Sequence, residues 1–259
     1  MCGSETRRVV AHARDGSYCR SMNVAIACGG TGGHLFPGMA VGQALLDDGH
    51  DVTLWVSGRD VEQQGLSRWA GAVTVVPARG FSGGPFAALK TCVVLAGAVL
   101  RAWRQMRRCR PDVLLAMGSY ASVGPVLAAG CLRVPVVLHE ANATPGKALS
   151  FLARFAQEVC TTFAATAVHL KSRQVTLTGL PMSFSLPARD RDRASASDES
   201  PFVVLVCGGS QGAAILNETV PAAMSKGVQI CPNLHIIHLS GSGRDAEVTR
   251  AYEKAGVSH

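Results

Sequence analysis

Two glycine clusters and two histidine-centred groups carry the residue types that could do chemistry. Gly29-Gly30-Thr31-Gly32-Gly33 is followed at once by His34, and Gly208-Gly209-Ser210-Gln211-Gly212 repeats the pattern later in the chain. A glycine turn between a strand and a helix lets backbone amides approach a phosphate with no Cβ in the way, and the helix dipole adds attraction for the anion. His34, as an imidazole that titrates near neutral pH, is a candidate general base for a hydroxyl within hydrogen-bond reach. His139-Glu140-Ala141-Asn142 forms a second polar cluster, for which turn capping by Asn142 is the plainer alternative. Neither glycine loop fits the dinucleotide fingerprint: from Gly30 and Gly32 the third glycine would fall at Leu35, and no acid closes the second strand. No G-K-[ST] follows either loop, which disfavours a P-loop nucleotidase.

These residues need elements to hold them. Residues 23–28 are an apolar run into the first loop, and a helical pattern follows Pro37 through Leu46 to the terminating Gly49. Apolar runs at 52–56, 73–76, 113–116 and 134–138 predict further strands separated by helices, with weaker candidates at 157–160 and 174–177. Such alternation predicts a doubly wound, mostly parallel α/β sheet with its ligand chemistry at the carboxyl ends of the strands. Residues 187–200 are polar and charged and read as a linker. Residues 202–207 then open a second domain as 23–28 opened the first, followed by a strand at 235–239 and a helix at 244–254. The expected organisation is a complete N-terminal Rossmann-like domain at 22–186 and an incomplete second one at 201–259. Residues 1–21 are expected to be a disordered or non-native extension, with Met22 a candidate start.

The 259 residues are 47% hydrophobic and 17% charged, which excludes a disordered chain. The net charge of +7 is locally concentrated, because Arg101, Arg104, Arg107, Arg108 and Arg110 follow one another closely. A basic block of this kind could face nucleic acid, anionic lipid or solvent. The most apolar stretch, 93–100, is too short to span a bilayer. Nine cysteines occur without a C-x-x-C pair, and several, such as Cys28 and Cys207, lie inside apolar runs; they read as reduced core residues of a cytosolic protein. The eight histidines are dispersed, so no structural zinc is expected.

Six motifs in order resemble the MurG-type glycosyltransferases, inverting enzymes of glycosyltransferase family 28 with the two-domain GT-B fold. They are Gly29-Gly30-Thr31-Gly32-Gly33-His34-Leu35-Phe36-Pro37-Gly38, Gly118-Ser119-Tyr120, His139-Glu140-Ala141-Asn142, Thr178-Gly179-Leu180-Pro181, Gly208-Gly209-Ser210-Gln211-Gly212-Ala213, and His238 ahead of Gly241-Ser242-Gly243. The resemblance implies transfer of N-acetylglucosamine from UDP-N-acetylglucosamine to the C4 hydroxyl of lipid I, giving lipid II for peptidoglycan. It implies His34 as the base, and donor contacts from Thr31, Gly32, Gly33, Asn142, Gly209, Ser210 and Gly212. Gly29, Gly30, Tyr120, His139 and Glu140 would border the acceptor. Oriented helix amides would take the place of a metal, and no cofactor is expected; Asp190-Arg191-Asp192 has the D-x-D form of metal-dependent transferases but lies in the linker.

The same resemblance gives the basic block a partner. Phe86, Leu89, Val93, Arg101, Trp103, Arg104, Arg107 and Arg108 would face the anionic cytoplasmic surface of the inner membrane, where an undecaprenyl-linked acceptor is met, and no nucleic acid partner is implied. The chain departs from the family pattern at Met182-Ser183, where Val-Arg is frequent, and at Ala141, where Gln stands. Family members also continue with elements that grip uridine and sugar, so a missing C-terminal half on another chain is expected if the protein is to act. A binding module retaining the acceptor domain, and a GT-B enzyme with another acceptor, remain open.

Overall fold

The apolar runs of the first two thirds become one seven-stranded parallel sheet. The structure, a computed structural model, describes residues 9–11, 18–67, 69–78, 85–170, 174–182, 201–208 and 212–259. It divides into two units, 1–185 and 186–259. Strands β1 (Val9–Ala11) and β2 (Tyr18–Arg20) pair only with each other, as an antiparallel hairpin, so part of the expected extension is a small element of its own. The sheet of the first unit comprises β3 (Asn23–Ala27), β4 (Asp51–Val56), β5 (Ala72–Val75), β6 (Val113–Ala116), β7 (Val136–Glu140), β8 (Glu158–Thr161) and β9 (Val175–Leu177). Its order is β5-β4-β3-β6-β7-β8-β9, so the chain starts in the middle and reverses direction between β3 and β6. The expected linker, 187–200, lies outside the described residues.

Both faces of this sheet are covered, which is why its strands read as continuous apolar runs rather than as alternating ones. On one face Val24, Ile26, Val52, Leu54 and Val56 pack with Leu35 and partly buried residues of α1 (Gly32–Asp47) and α2 (Asp60–Leu66). On the other, Ala25, Ala27, Leu114, Ala116 and Leu138 meet Ala98, Ala102 and Met106 of α3 (Pro85–Cys109) and Val126 and Ala129 of α4 (Val123–Leu132). A short α5 (Lys147–Leu152) adds Leu149 and Leu152. Helix α1 starts at Gly32, earlier than the pattern after Pro37 predicts, and Pro37 lies inside it. Two glycines and a proline argue locally against a helix there, but Leu35, Pro37 and Gly38 are buried, and that packing overrides propensity.

The second unit pairs β10 (Phe202–Cys207) with β11 (Leu234–Leu239) in parallel, and α6 (Ala214–Ile230) and α7 (Asp245–Ala255) complete it. Val206, Leu234, Ile236, Val248, Tyr252 and Val257 form its core. Beyond α7, Ser258 bridges in parallel to His235 and accepts the Ile236 N–H at 2.9 Å, so the free edge of β11 is already partly engaged. Among the described residues the opposite face of the sheet is open: Val203, Leu205, Ile237 and Leu239 are 47–63% exposed. Cys207, expected in the core, lies on that face and is exposed, because no described helix covers it. Leu138→Ala, at a fully buried site, is expected to cost about 2–5 kcal/mol in urea unfolding, and Leu205→Ala less than about 0.5 kcal/mol. Comparable costs would show that the second face is in fact covered.

Candidate functional site

The loops after β3 and β4 are tied together by a carboxylate that the sequence motifs do not include. Gly30 turns the chain from β3 toward α1 with φ +121, a conformation that glycine adopts without steric cost. Its N–H donates to Glu62 Oε1 at 2.6 Å, and Glu62 also accepts the Ser57 hydroxyl at 2.5 Å and the N–H groups of Gly58 and Arg59 at 2.7 and 2.9 Å. Glu62 is fully buried. Burial pushes its carboxyl up, but the hydrogen bonds from Ser57, Gly30 and Arg59 outweigh that and hold it below its ordinary value of 4.5. The Arg59 guanidinium returns to the Gly30 carbonyl at 2.9 Å. From the other side the Ser119 hydroxyl donates to the Gly29 carbonyl and accepts the Ala121 N–H. The signal for Glu62 was a glutamate in the first turn of a helix that directly follows a strand, where its carboxylate meets unpaired amides.

His34 occupies the first turn of α1 and is half-buried. Thr31, the residue before the helix, makes no side-chain cap; its hydroxyl lies 2.9 Å from His34 Nδ1 instead. When Nδ1–H donates to Thr31 Oγ1, the Nε2 lone pair is left for a substrate proton, which is the tautomer a base requires. Burial lowers the His34 pKa below its ordinary 6.5; the charge of Glu140 opposes this and His139 adds to it. The imidazole is therefore neutral at pH 7, and the His139-Glu140 pair lies close enough to be felt electrostatically.

Strand β7 runs through Glu140, so His139 and Glu140 are strand residues, 3% and 4% exposed. His139 Nε2 lies 3.0 Å from the Gly179 carbonyl. Glu140 accepts the Asn142 N–H at 2.9 Å, the Asn142 side-chain amide at 2.8 Å and the Gly146 N–H at 3.2 Å. Both residues are buried, and the bonds of Glu140 shape the loop that carries the exposed Asn142. Tyr120, half-buried, opens a 3-10 turn (Tyr120–Ser122) with its ring 6.0 Å from the Arg59 guanidinium carbon. Gly29 to His34, Tyr120 and Asn142 all gather at the carboxyl edge of β3, β6 and β7. That edge includes the point where the strand order reverses, the usual ligand crevice of an open α/β sheet.

In the second glycine loop Gly209 and Ser210 lie outside the described residues. Gly212 has φ +67, and a Cβ there would fall 1.9 Å from the Ser240 carbonyl oxygen, which also accepts from the Asn217 amide at 2.9 Å. Helix α6 follows without a side-chain cap, so its first amides lack intrahelical partners. On α3, Arg101, Arg104, Arg107 and Arg108 are exposed and Val93 is 66% exposed. Trp103 is not freely displayed: it packs partly against the core, with the Arg107 guanidinium 4.8 Å above its ring. The side chains of Phe86 and Leu89 lie outside the described set. No described helix is long and apolar enough to cross a membrane, and among the described residues no three His, Cys, Asp or Glu come together as metal ligands. Cys28 is no nucleophile, since burial and then the Glu62 charge push its thiol up to about 12.

Comparison with known proteins identifies the family. The Glycosyltransferase family 28 N-terminal domain matches residues 24–161, and the family's C-terminal domain matches 203–259. A UDP-N-acetylglucosamine-N-acetylmuramyl-(pentapeptide) pyrophosphoryl-undecaprenol N-acetylglucosamine transferase of Methylobacterium sp. (strain 4-46) is 36% identical over 241 residues, covering 91% of this chain and 64% of the relative. The protein of that name from Klebsiella pneumoniae is 34% identical over 236 residues, covering 89% and 63%. The chain thus spans under two thirds of the length of these curated relatives. The crystal structure of Acinetobacter baumannii MurG superposes with a TM-score of 0.70 at 27% identity, over 92% of this chain and 66% of that one. A putative UDP-N-acetylglucosamine 2-epimerase from Listeria monocytogenes gives 0.62 at 11% identity over 93% and 68%, a likeness of fold alone. The fold is α/β of the GT-B type, with the second Rossmann-like domain partial, and the chain belongs to glycosyltransferase family 28.

Proposed function

We propose that this chain forms the acceptor side, and the start of the donor side, of a transferase that moves N-acetylglucosamine from UDP-N-acetylglucosamine to the C4 hydroxyl of lipid I, yielding lipid II. The observation that carries the reading is His34: a neutral imidazole oriented by Thr31 at the switch point of the sheet. In this account Nε2 takes the proton from the acceptor hydroxyl as its oxygen attacks the anomeric carbon. The bond to UDP breaks on the opposite face, so the configuration inverts. Asn142 and Thr31 to Gly33 line the sugar, and the loop from Gly209 to Gly212, with the α6 amides behind it, takes the charge of the departing diphosphate without a metal. The protein works peripherally at the cytoplasmic face of the inner membrane, with the α3 arginines toward anionic headgroups. The open face of β10 and β11 supports a further requirement, that polypeptide corresponding to the remaining third of the relatives completes the donor domain.

Labelled N-acetylglucosamine is expected to pass from its UDP donor into butanol-extractable lipid when this chain, a soluble lipid I analogue and that completing polypeptide are combined. His34→Ala should lower the rate by roughly 10²–10⁴-fold. The acid limb of kcat/KM should fall below pH 6.5, because activity rises as the lowered His34 pKa is passed and the imidazole becomes neutral. No label from the completed mixture, or an equal rate with His34→Ala, would contradict the reading. For the membrane face, replacing Arg101, Arg104 and Arg108 together by Gln should weaken co-sedimentation with anionic vesicles by roughly a hundredfold, since each basic residue near the surface contributes about 1 kcal/mol. Unchanged sedimentation would remove α3 from the membrane surface.

A further inference from the structure

We infer that the Arg59 guanidinium recognises a diphosphate at the carboxyl edge of the first sheet, a role that rests on the transferase reading above and that none of the glycine-loop motifs assigns. The reasoning begins with what the first glycine loop cannot do. Its amide at Gly30 is spent on Glu62 at 2.6 Å, so it does not serve a phosphate. Glu62 is an ionised carboxylate directly beneath the loop, and a diphosphate seated on Gly29 and Gly30 would meet that negative charge across a buried, weakly screened path.

Arg59 reverses this local field. Its backbone N–H is held by Glu62 and one guanidinium nitrogen by the Gly30 carbonyl, so the cation is fixed at both ends to the loop it would serve. The Tyr120 ring lies 6.0 Å from the guanidinium carbon, on the side of the neighbouring β6 loop. A guanidinium has five N–H donors, and one bond to a carbonyl leaves enough of the planar fork to grip phosphate oxygens. Glu62 does not neutralise the side chain by direct pairing, because its oxygens are taken up by Gly30, Ser57, Gly58 and the Arg59 amide. The residue is exposed, as a ligand contact must be.

Diphosphates reach such a site from two sources, the pyrophosphoryl lipid acceptor or the UDP donor, and the test separates them. Calorimetric titration of the parent chain, Arg59→Lys and Arg59→Ala with a short prenyl diphosphate, its monophosphate, and UDP is the experiment. Arg59→Ala should weaken diphosphate binding by roughly tenfold to a hundredfold, as loss of a charged hydrogen bond does, and Arg59→Lys should recover only part of it. The monophosphate should be affected less than the diphosphate. Loss in the prenyl diphosphate arm assigns Arg59 to the acceptor, and loss in the UDP arm assigns it to the donor. Equal affinity of all three proteins for both diphosphates, or no diphosphate binding by a folded parent chain, overturns the inference. An unchanged melting temperature in Arg59→Lys separates lost recognition from lost structure. Because binding is read without turnover, failure of sugar transfer leaves this outcome legible.

Discussion

A carboxylate removed from water must be surrounded by donors, and the site is built around one that is. Glu62 collects amides and a hydroxyl from two loops, and in doing so holds Gly30 in the turn that aims α1, and with it Thr31 and His34, at the carboxyl edge. Removing any one donor leaves an ion short of a partner, so the loops after β3 and β4 cannot move independently. Ser119 locks the same segment from the β6 side. The carboxyl titrates below its unfolded value, so its contribution to stability is complete above the ordinary carboxylate range and is lost as pH falls through the folded-state pKa.

The local charges divide the work. The neutral His34 imidazole is set by burial, with the charge of Glu140 working against it. Glu140 is buried and bonded to both Asn142 amides and to the Gly146 N–H, which makes it the scaffold of the Asn142 loop, while the buried His139 meets the Gly179 carbonyl. Two buried acids, Glu62 and Glu140, therefore hold the loops that carry the residues proposed to react with and recognise the substrates.

Much of this was legible in the sequence because parallel strands covered on both faces announce themselves as apolar runs; β6 and β10 fall at the residues their runs predict. The glycine loops and His34 were legible because their residue types have few other uses at a strand end. Glu62 was not, since a single glutamate in a helix reads as a solvated residue until the neighbouring strand's loop is brought against it. The start of α1 was missed because Gly32, Gly33 and Pro37 each speak locally against a helix, and only tertiary burial reverses them. Cys207 was misplaced for the opposite reason: its strand has the composition of a two-sided core, while the described residues cover only one side.

The claim on which the rest depends is that an ionised Glu62 holds Gly30. A pH titration followed by NMR, reading the Glu62 side-chain carboxyl carbon and the Gly30 amide nitrogen in the same samples, tests it directly. The account predicts a Glu62 midpoint below 4.5 and a Gly30 amide shift that follows it with the same midpoint. A carboxyl that titrates at or above its ordinary value, or a Gly30 amide indifferent to it, would contradict the account.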